Sequence, residues 1–168
     1  MRYRWILFDA DGTLFDFTKA EARALKKTFK ESGHGFQPAY SETFERINSQ
    51  MWLALEEGRI SQDELKTTRF ARLLQEVGAK NDPTAFGERY LGNLAEGTYL
   101  IEGAEEVVRS LHGKVGLVMI TNGLAQVQNP RFSKSAISSY FSAFVISEEV
   151  GSAKPDSVIF DVAFEHMG

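Results

Sequence analysis

Three short, unbroken apolar runs, each closed by polar residues, constrain this chain more than any other feature. They are Trp5-Ile6-Leu7-Phe8 closed by Asp9, Val115 to Ile120 closed by Thr121-Asn122-Gly123, and Ala143-Phe144-Val145-Ile146 closed by Ser147. A strand with one wet face alternates apolar and polar residues, so unbroken runs of this length predict strands of a parallel sheet buried on both faces. Helical stripes follow the same order. Ala104, Val107, Val108 and Leu111 fall at i, i+3, i+4 and i+7, and Ile159, Val162 and Ala163 form a similar stripe near the end. Strand alternating with helix predicts an open α/β fold.

The stretch between the first and second runs is too long for one crossover helix, and its patterning is helical throughout. One stripe uses Phe44, Ile47, Met51 and Leu55, and another uses Phe70, Leu73, Leu74 and Val77. Breaks fall at Gly33-His34-Gly35, Gly58 and Asn81-Asp82-Pro83. The expected organisation is an α/β core from residues 1–15 and 100–168, with residues 16–99 inserted as a small bundle of about four helices.

A chain of 168 residues that is 43% hydrophobic and 25% charged can bury a core of this kind. The net charge of −4 and the scattered basic residues show no footprint for nucleic acid or for an anionic membrane. No apolar run approaches the ~20 residues of a membrane span, and the run before Asp9 is too short for a signal peptide. The absence of cysteine excludes disulfides, thiol catalysis and cysteine metal sites, and is compatible with a cytoplasmic protein. The histidines His34, His112 and His166 show no ligand spacing and are expected at the surface.

In an open α/β sheet ligands gather outside the carboxyl ends of the strands, so Asp9/Asp11, Thr121/Asn122 and the loop after Ser147 are expected at one crevice. Two carboxylates two residues apart, on a turn containing Gly12, can divide labour. One can attack phosphorus while the other shuttles a proton, and oxygen ligands of this type suit Mg²⁺. The competing reading is a plain polar turn after a strand. A calcium loop is excluded, because counting from Asp9 its sixth and twelfth positions hold Leu14 and Ala20 instead of glycine and glutamate.

The segment Asp9-Ala10-Asp11-Gly12-Thr13 after an apolar strand resembles the first motif of the haloacid dehalogenase superfamily. Val118-Met119-Ile120-Thr121-Asn122-Gly123 is similar to its second motif, and Gly151-Ser152-Ala153-Lys154-Pro155-Asp156 to its third. The resemblance implies a Rossmann-like parallel sheet with a helical cap. It implies Asp9 as nucleophile, Asp11 as general acid/base, and Thr13 as support for the turn. Thr121 and Asn122 would hold the phosphoryl group, with Lys154 neutralising charge beside it. Mg²⁺ would bind the Asp9 carboxylate and the main-chain carbonyl of Asp11. The second aspartate is absent from the superfamily's dehalogenases and replaced by alanine in its phosphonate-cleaving members, so Asp11 points to phosphate esters. Phosphatase is favoured over phosphomutase or sugar-phosphate chemistry, which share these residues.

The segments Phe8-Asp9-Ala10-Asp11, Ile120-Thr121-Asn122-Gly123 and Val145 to Gly151, with Trp52 and Glu57-Gly58-Arg59-Ile60 in the insertion, resemble the bacterial pyrimidine 5′-nucleotidases that act on non-standard nucleotides. That subgroup implies a small phosphorylated metabolite, a nucleoside 5′-monophosphate, as substrate. Trp52, Arg59 and Arg69 are the cap candidates for gripping it, against the plainer reading of Trp52 as cap core.

The superfamily's fourth motif, an acid-bearing strand that completes the Mg²⁺ site, is expected after His166-Met167-Gly168. The favoured expectation is a C-terminally truncated chain with an incomplete sheet, weak Mg²⁺ binding and low turnover. A strand-exchanged dimer and a catalytically silent binding module are the alternatives. Within Ser133 to Ile137, Ala136 stands where relatives often place a glycine at a helix end.

Overall fold

The computed structural model describes residues 3–167. Strands β1 (Trp5–Asp9), β2 (Gly116–Thr121) and β3 (Ala143–Ile146) form one parallel sheet in that order. The helices are α1 (Phe17–Glu31), α2 (Ala39–Glu56), α3 (Gln62–Val77), α4 (Pro83–Ala95), α5 (Ala104–Leu111), α6 (Ala125–Lys134), α7 (Ser147–Val150) and α8 (Ser157–Glu165). All three predicted strands and the expected helices are present, in an α/β core with a helical insertion.

The unbroken apolar runs exist because both faces of the sheet are covered. Leu117 and Met119 of β2 join Val108 of α5 and Phe132 of α6 on one face, where Ile6 and Phe8 of β1 also pack. Val118 and Ile120 join Ile159 and Ala163 of α8 on the other, with Trp5 and Leu7. Successive residues point to opposite faces, so each face demands apolar side chains. The structure departs from the sequence expectation at β1, whose five residues are all only partly buried. It lies at an edge of this sheet, and among the described residues it pairs with β2.

The chain divides into two compact units, residues 1–21 with 95–168, and residues 22–94. The boundaries fall inside α1 and α4. The first turn of α1 is tied to the core unit: the Asp16 amide donates to the Tyr99 carbonyl (2.9 Å), and Lys19 Nζ lies 5.0 Å from the Tyr99 ring centre.

The second unit is held by an aromatic core. Phe44 stacks on Phe70 at 5.6 Å, and Tyr90, Phe86 and Phe29 extend the cluster. The start of α3 is fixed by a capping box, in which Ser61 and Glu64 satisfy each other's backbone amides. The bonds from the Ser61 backbone and hydroxyl hold the Glu64 carboxyl below its ordinary pKa, so this cap weakens as pH falls through that lowered value.

Gly87 of α4 lies against α3, where an added Cβ would meet the Phe70 ring at 2.8 Å and the Lys66 carbonyl oxygen at 3.1 Å. Gly87→Ala would gain up to about 1 kcal/mol in helix propensity. Overpacking against a fully buried ring costs about 1–3 kcal/mol and outweighs it. Thermal unfolding is expected to show a net loss of about 1 kcal/mol, or about 2–4 °C. A raised midpoint would contradict the close α3–α4 packing.

Candidate active site

The register pairs Asp9 with Ile120 and Thr121 with Ile146, so the polar tips of the three strands lie along one edge of the sheet. After β1 the chain turns at once. The amides of Leu14 and Phe15 both donate to the Ala10 carbonyl (2.9 Å each), and the Gly12 amide donates to the Phe15 carbonyl (3.0 Å). Gly12 sits at φ +77°, a conformation that side chains with a Cβ rarely adopt, which is why glycine follows Asp11. Backbone bonds carry this turn, and Thr13 lies exposed on it. Asp9 and Asp11 are thereby displayed from a rigid frame whose next residues, Leu14 and Phe15, are anchored in the core.

The two carboxylates have different partners. Lys154 Nζ donates to Asp9 Oδ1 and also to the Ile120 carbonyl (3.1 Å), bringing together residues 145 apart in sequence. Asp9 keeps a side chain 44% exposed beside a lysine that is 23% exposed. Asp11 is held by two residues that sequence reasoning missed, both on α6. Arg131 Nη1 donates to its Oδ1 and Gln128 Nε2 to its Oδ2, each at 2.7 Å. The signal available was the polarity of a buried helix face, since Gln128 and Arg131 share it with Val127 and Phe132.

Thr121 is buried, and its Oγ1 accepts from the Gly123 amide (3.1 Å) and from Gln128 Nε2 (3.0 Å). Both lone pairs are then occupied, which commits the hydroxyl proton to donation. The Asn122 side chain turns to the loop after β3. Its Nδ2 donates to the Lys154 carbonyl (2.9 Å) and its Oδ1 accepts from the Lys154 amide (2.8 Å), so its side chain braces the loop that carries Lys154. The Lys154-Pro155 peptide bond in that loop is cis.

The cap candidates lie in the second unit. Trp52 is half-buried on α2, and Arg59 is exposed and paired with Glu57. Arg69 is 3% exposed, bonds Asn48 Oδ1 at 2.8 Å, and lies against the faces of Phe70 and Tyr90. His112 and His166 are exposed and His34 is half-buried. Ala136 adopts no positive φ, so that position asks nothing of glycine. Among the described residues no helix is long and apolar enough to cross a membrane.

The donors at Asp9 and Asp11 are all oxygen, which suits a hard cation such as Mg²⁺. Among the described residues no group of three or more His, Cys, Asp or Glu side chains is gathered to hold a metal. A cation here would use one carboxylate and main-chain oxygen, and would keep several waters.

A family model described as haloacid dehalogenase-like hydrolase matches residues 3–168. The chain is 35% identical over 166 residues to the HAD-hydrolase YfnB of Bacillus subtilis, covering 99% of this chain and 71% of that protein. It is 35% identical to the pyrimidine 5′-nucleotidase PynA of Streptococcus pneumoniae, covering 96% of this chain and 68% of PynA. It is 31% identical to the pyrimidine 5′-nucleotidase YjjG of Escherichia coli, covering all of this chain and 73% of YjjG. The crystal structure of YfnB, described as bound to magnesium, superposes with a TM-score of 0.91 over 98% of this chain and 72% of YfnB.

Proposed function

This chain belongs to the haloacid dehalogenase-like hydrolases, and from that premise we propose that it is a Mg²⁺-dependent phosphomonoesterase acting through an aspartyl-phosphate on Asp9, with pyrimidine nucleoside 5′-monophosphates as substrates. The observation that carries the reading is the division of partners at the turn: Lys154 on Asp9, and a separate pair of donors on Asp11.

In the first step an Asp9 oxygen attacks phosphorus, the bond from phosphorus to the ester oxygen breaks, and the Asp11 carboxyl gives that oxygen its proton. In the second, the Asp11 carboxylate takes a proton from water, whose oxygen attacks the same phosphorus. The bond to Asp9 then breaks and inorganic phosphate leaves, restoring both acids. Lys154 offsets the negative charge gathered between Asp9 and the phosphoryl group. Thr121 donates its hydroxyl to a phosphoryl oxygen. Mg²⁺, held by the Asp9 carboxylate and the Asp11 carbonyl, would offset the charge of the transferring group.

The substrate class rests on the names of PynA and YjjG. Of the cap candidates, Trp52 and Arg59 retain accessible surface for a base or sugar, whereas Arg69 is engaged within the cap's own core. Among the described residues no cluster of three or more acidic or histidine ligands is gathered, and for these 168 residues on their own that predicts weak Mg²⁺ binding and correspondingly low turnover. The same observation favours a second reading, a catalytically silent binding module, which predicts no turnover at all.

The test is phosphate release by the protein at the length its gene encodes, from uridine and thymidine 5′-monophosphates, their purine counterparts and a hexose phosphate. Release from the pyrimidine nucleotides is expected in Mg²⁺, with a loss of about 100-fold or more on chelation and recovery on adding Mg²⁺ back. Chelator-insensitive release would overturn the metal assignment. Release from the hexose phosphate alone would overturn the substrate, and no release from any of them would favour the silent module.

A further inference from the structure

Gln128 and Arg131 bond directly to Asp11 yet have no part in the two steps above, and their placement is costly. They are 1% and 0% exposed, on the face of α6 that also buries Val127 and Phe132. Burying a guanidinium and an amide is unfavourable unless specific bonds compensate, and an apolar side chain of similar volume would often pack as well or better. Arg131 is not even fully compensated. Its Nε donates to the Gly97 carbonyl (3.0 Å), its Nη1 reaches Asp11 and Gln128, and its Nη2 is buried with no hydrogen-bond partner among the described residues. Packing alone does not account for an arginine here.

The bonds that are made converge on one group. Each oxygen of Asp11 receives one donor, and the Gln128 amide also joins Thr121 Oγ1 (3.0 Å) and accepts from Arg131 Nη1 (3.2 Å). The side chain that moves protons is thus tied to the hydroxyl that holds the phosphoryl group. A carboxylate oxygen has two acceptor sites, so one stays available at each oxygen for the transferred proton. The clamp is itself fixed. Glu148 Oε2 accepts from the Ala125 amide at the start of α6 (2.7 Å), Arg131 lies 4.8 Å from the Phe15 ring centre, and Gly123 leaves room for Gln128. A Cβ at Gly123 would fall 2.3 Å from Gln128 Nε2.

We propose that Gln128 and Arg131 are positioning residues that fix the orientation from which Asp11 gives a proton to the leaving oxygen and takes one from water. The proposal rests on the phosphatase reading above. Its readout is the leaving group. A nucleoside 5′-alkoxide must be protonated as it departs, whereas p-nitrophenolate departs without a proton. Aspartyl-phosphate hydrolysis needs Asp11 as base with either substrate.

The experiment compares kcat and kcat/KM for a nucleoside 5′-monophosphate and for p-nitrophenyl phosphate in Gln128→Ala, Arg131→Met and Gly123→Ala, using the protein at its gene-encoded length. The expected result for the nucleotide is a fall in kcat/KM of about 10–100-fold in the first two variants. For p-nitrophenyl phosphate kcat/KM stays within about threefold, while kcat falls as the second step becomes limiting. Gly123→Ala, which touches Asp11 only by displacing Gln128, is expected to show the same pattern with smaller losses. It and Gln128→Ala carry the test if Arg131→Met does not fold. Equal losses of kcat/KM for both substrates would mean a merely structural role, and no loss for either would mean none; both overturn the proposal. A wild-type protein that releases phosphate from neither substrate overturns the phosphatase reading and this proposal with it, and that failure is read before any variant is made.

Discussion

Asp9→Asn is expected to lower kcat for phosphomonoester hydrolysis by about 10⁴-fold or more while leaving the protein folded. The exchange is nearly isosteric, so no cavity forms. The amide oxygen can still accept from Lys154 Nζ, and that ammonium keeps its second acceptor in the Ile120 carbonyl at 3.1 Å. What is lost is the anionic oxygen that attacks phosphorus, and an amide oxygen is a poor substitute. The lysine is left without its counter-charge, but the side chain it faces is 44% exposed, so solvent reaches the pair and screens much of that cost. The thermal midpoint should therefore move by only a few degrees while turnover disappears. Phosphate release, with circular dichroism as the control for folding, decides the matter. Activity within tenfold of wild type would remove Asp9 from the nucleophile's role and with it the proposed mechanism.

The sequence carried the parts of this site that lie at strand tips. A strand covered on both faces must be apolar along its length, and the first polar residue after it is the one displayed at the sheet edge. That logic marks Asp9 and Thr121 as strand-end residues from sequence, and the superfamily resemblance adds Lys154 on the loop after β3. The parallel register then places the strand tips along one edge, with Lys154 bonded to Asp9. Periodicity failed where a helix face mixes purposes. Gln128 and Arg131 sit among apolar residues, and nothing local distinguishes a buried arginine from an exposed one until a carboxylate 120 residues away is seen to meet it. Asn122 was legible as a polar strand end but not as a brace, because its partners are the backbone atoms of Lys154, which carry no side-chain signature. Half-burial of β1 depends on what covers its two faces and its edge, which its own apolar run does not encode. The capping box at Ser61 and Glu64 was readable in principle, from a serine followed three residues later by glutamate ahead of an apolar stripe.

The register also fixes the second large effect, which is on stability. Trp5 of β1 is paired with Gly116 of β2, and the indole lies across the glycine so closely that an added Cβ would fall 2.0 Å from ring carbons Cε3 and Cζ3. The ring in turn packs on the cluster formed by Val118, Ile120, Val145 and Ile159. Gly116→Val would bring the higher strand propensity of a β-branched residue, a gain of up to about 1 kcal/mol. Against this, the indole must swing off its seat, exposing on the order of 100 Å² of apolar surface at about 25 cal/mol per Å², or about 2.5 kcal/mol, with residual overpacking added. Displacement wins, and the expected net loss is about 2–3 kcal/mol, or about 4–12 °C in the thermal midpoint. The cause can be isolated by a double-mutant cycle. In a Trp5→Ala background there is no ring to displace, so the same Gly116→Val change should be neutral or stabilising. A valine equally damaging in both backgrounds would show that Gly116 answers to some other constraint than the tryptophan across the sheet.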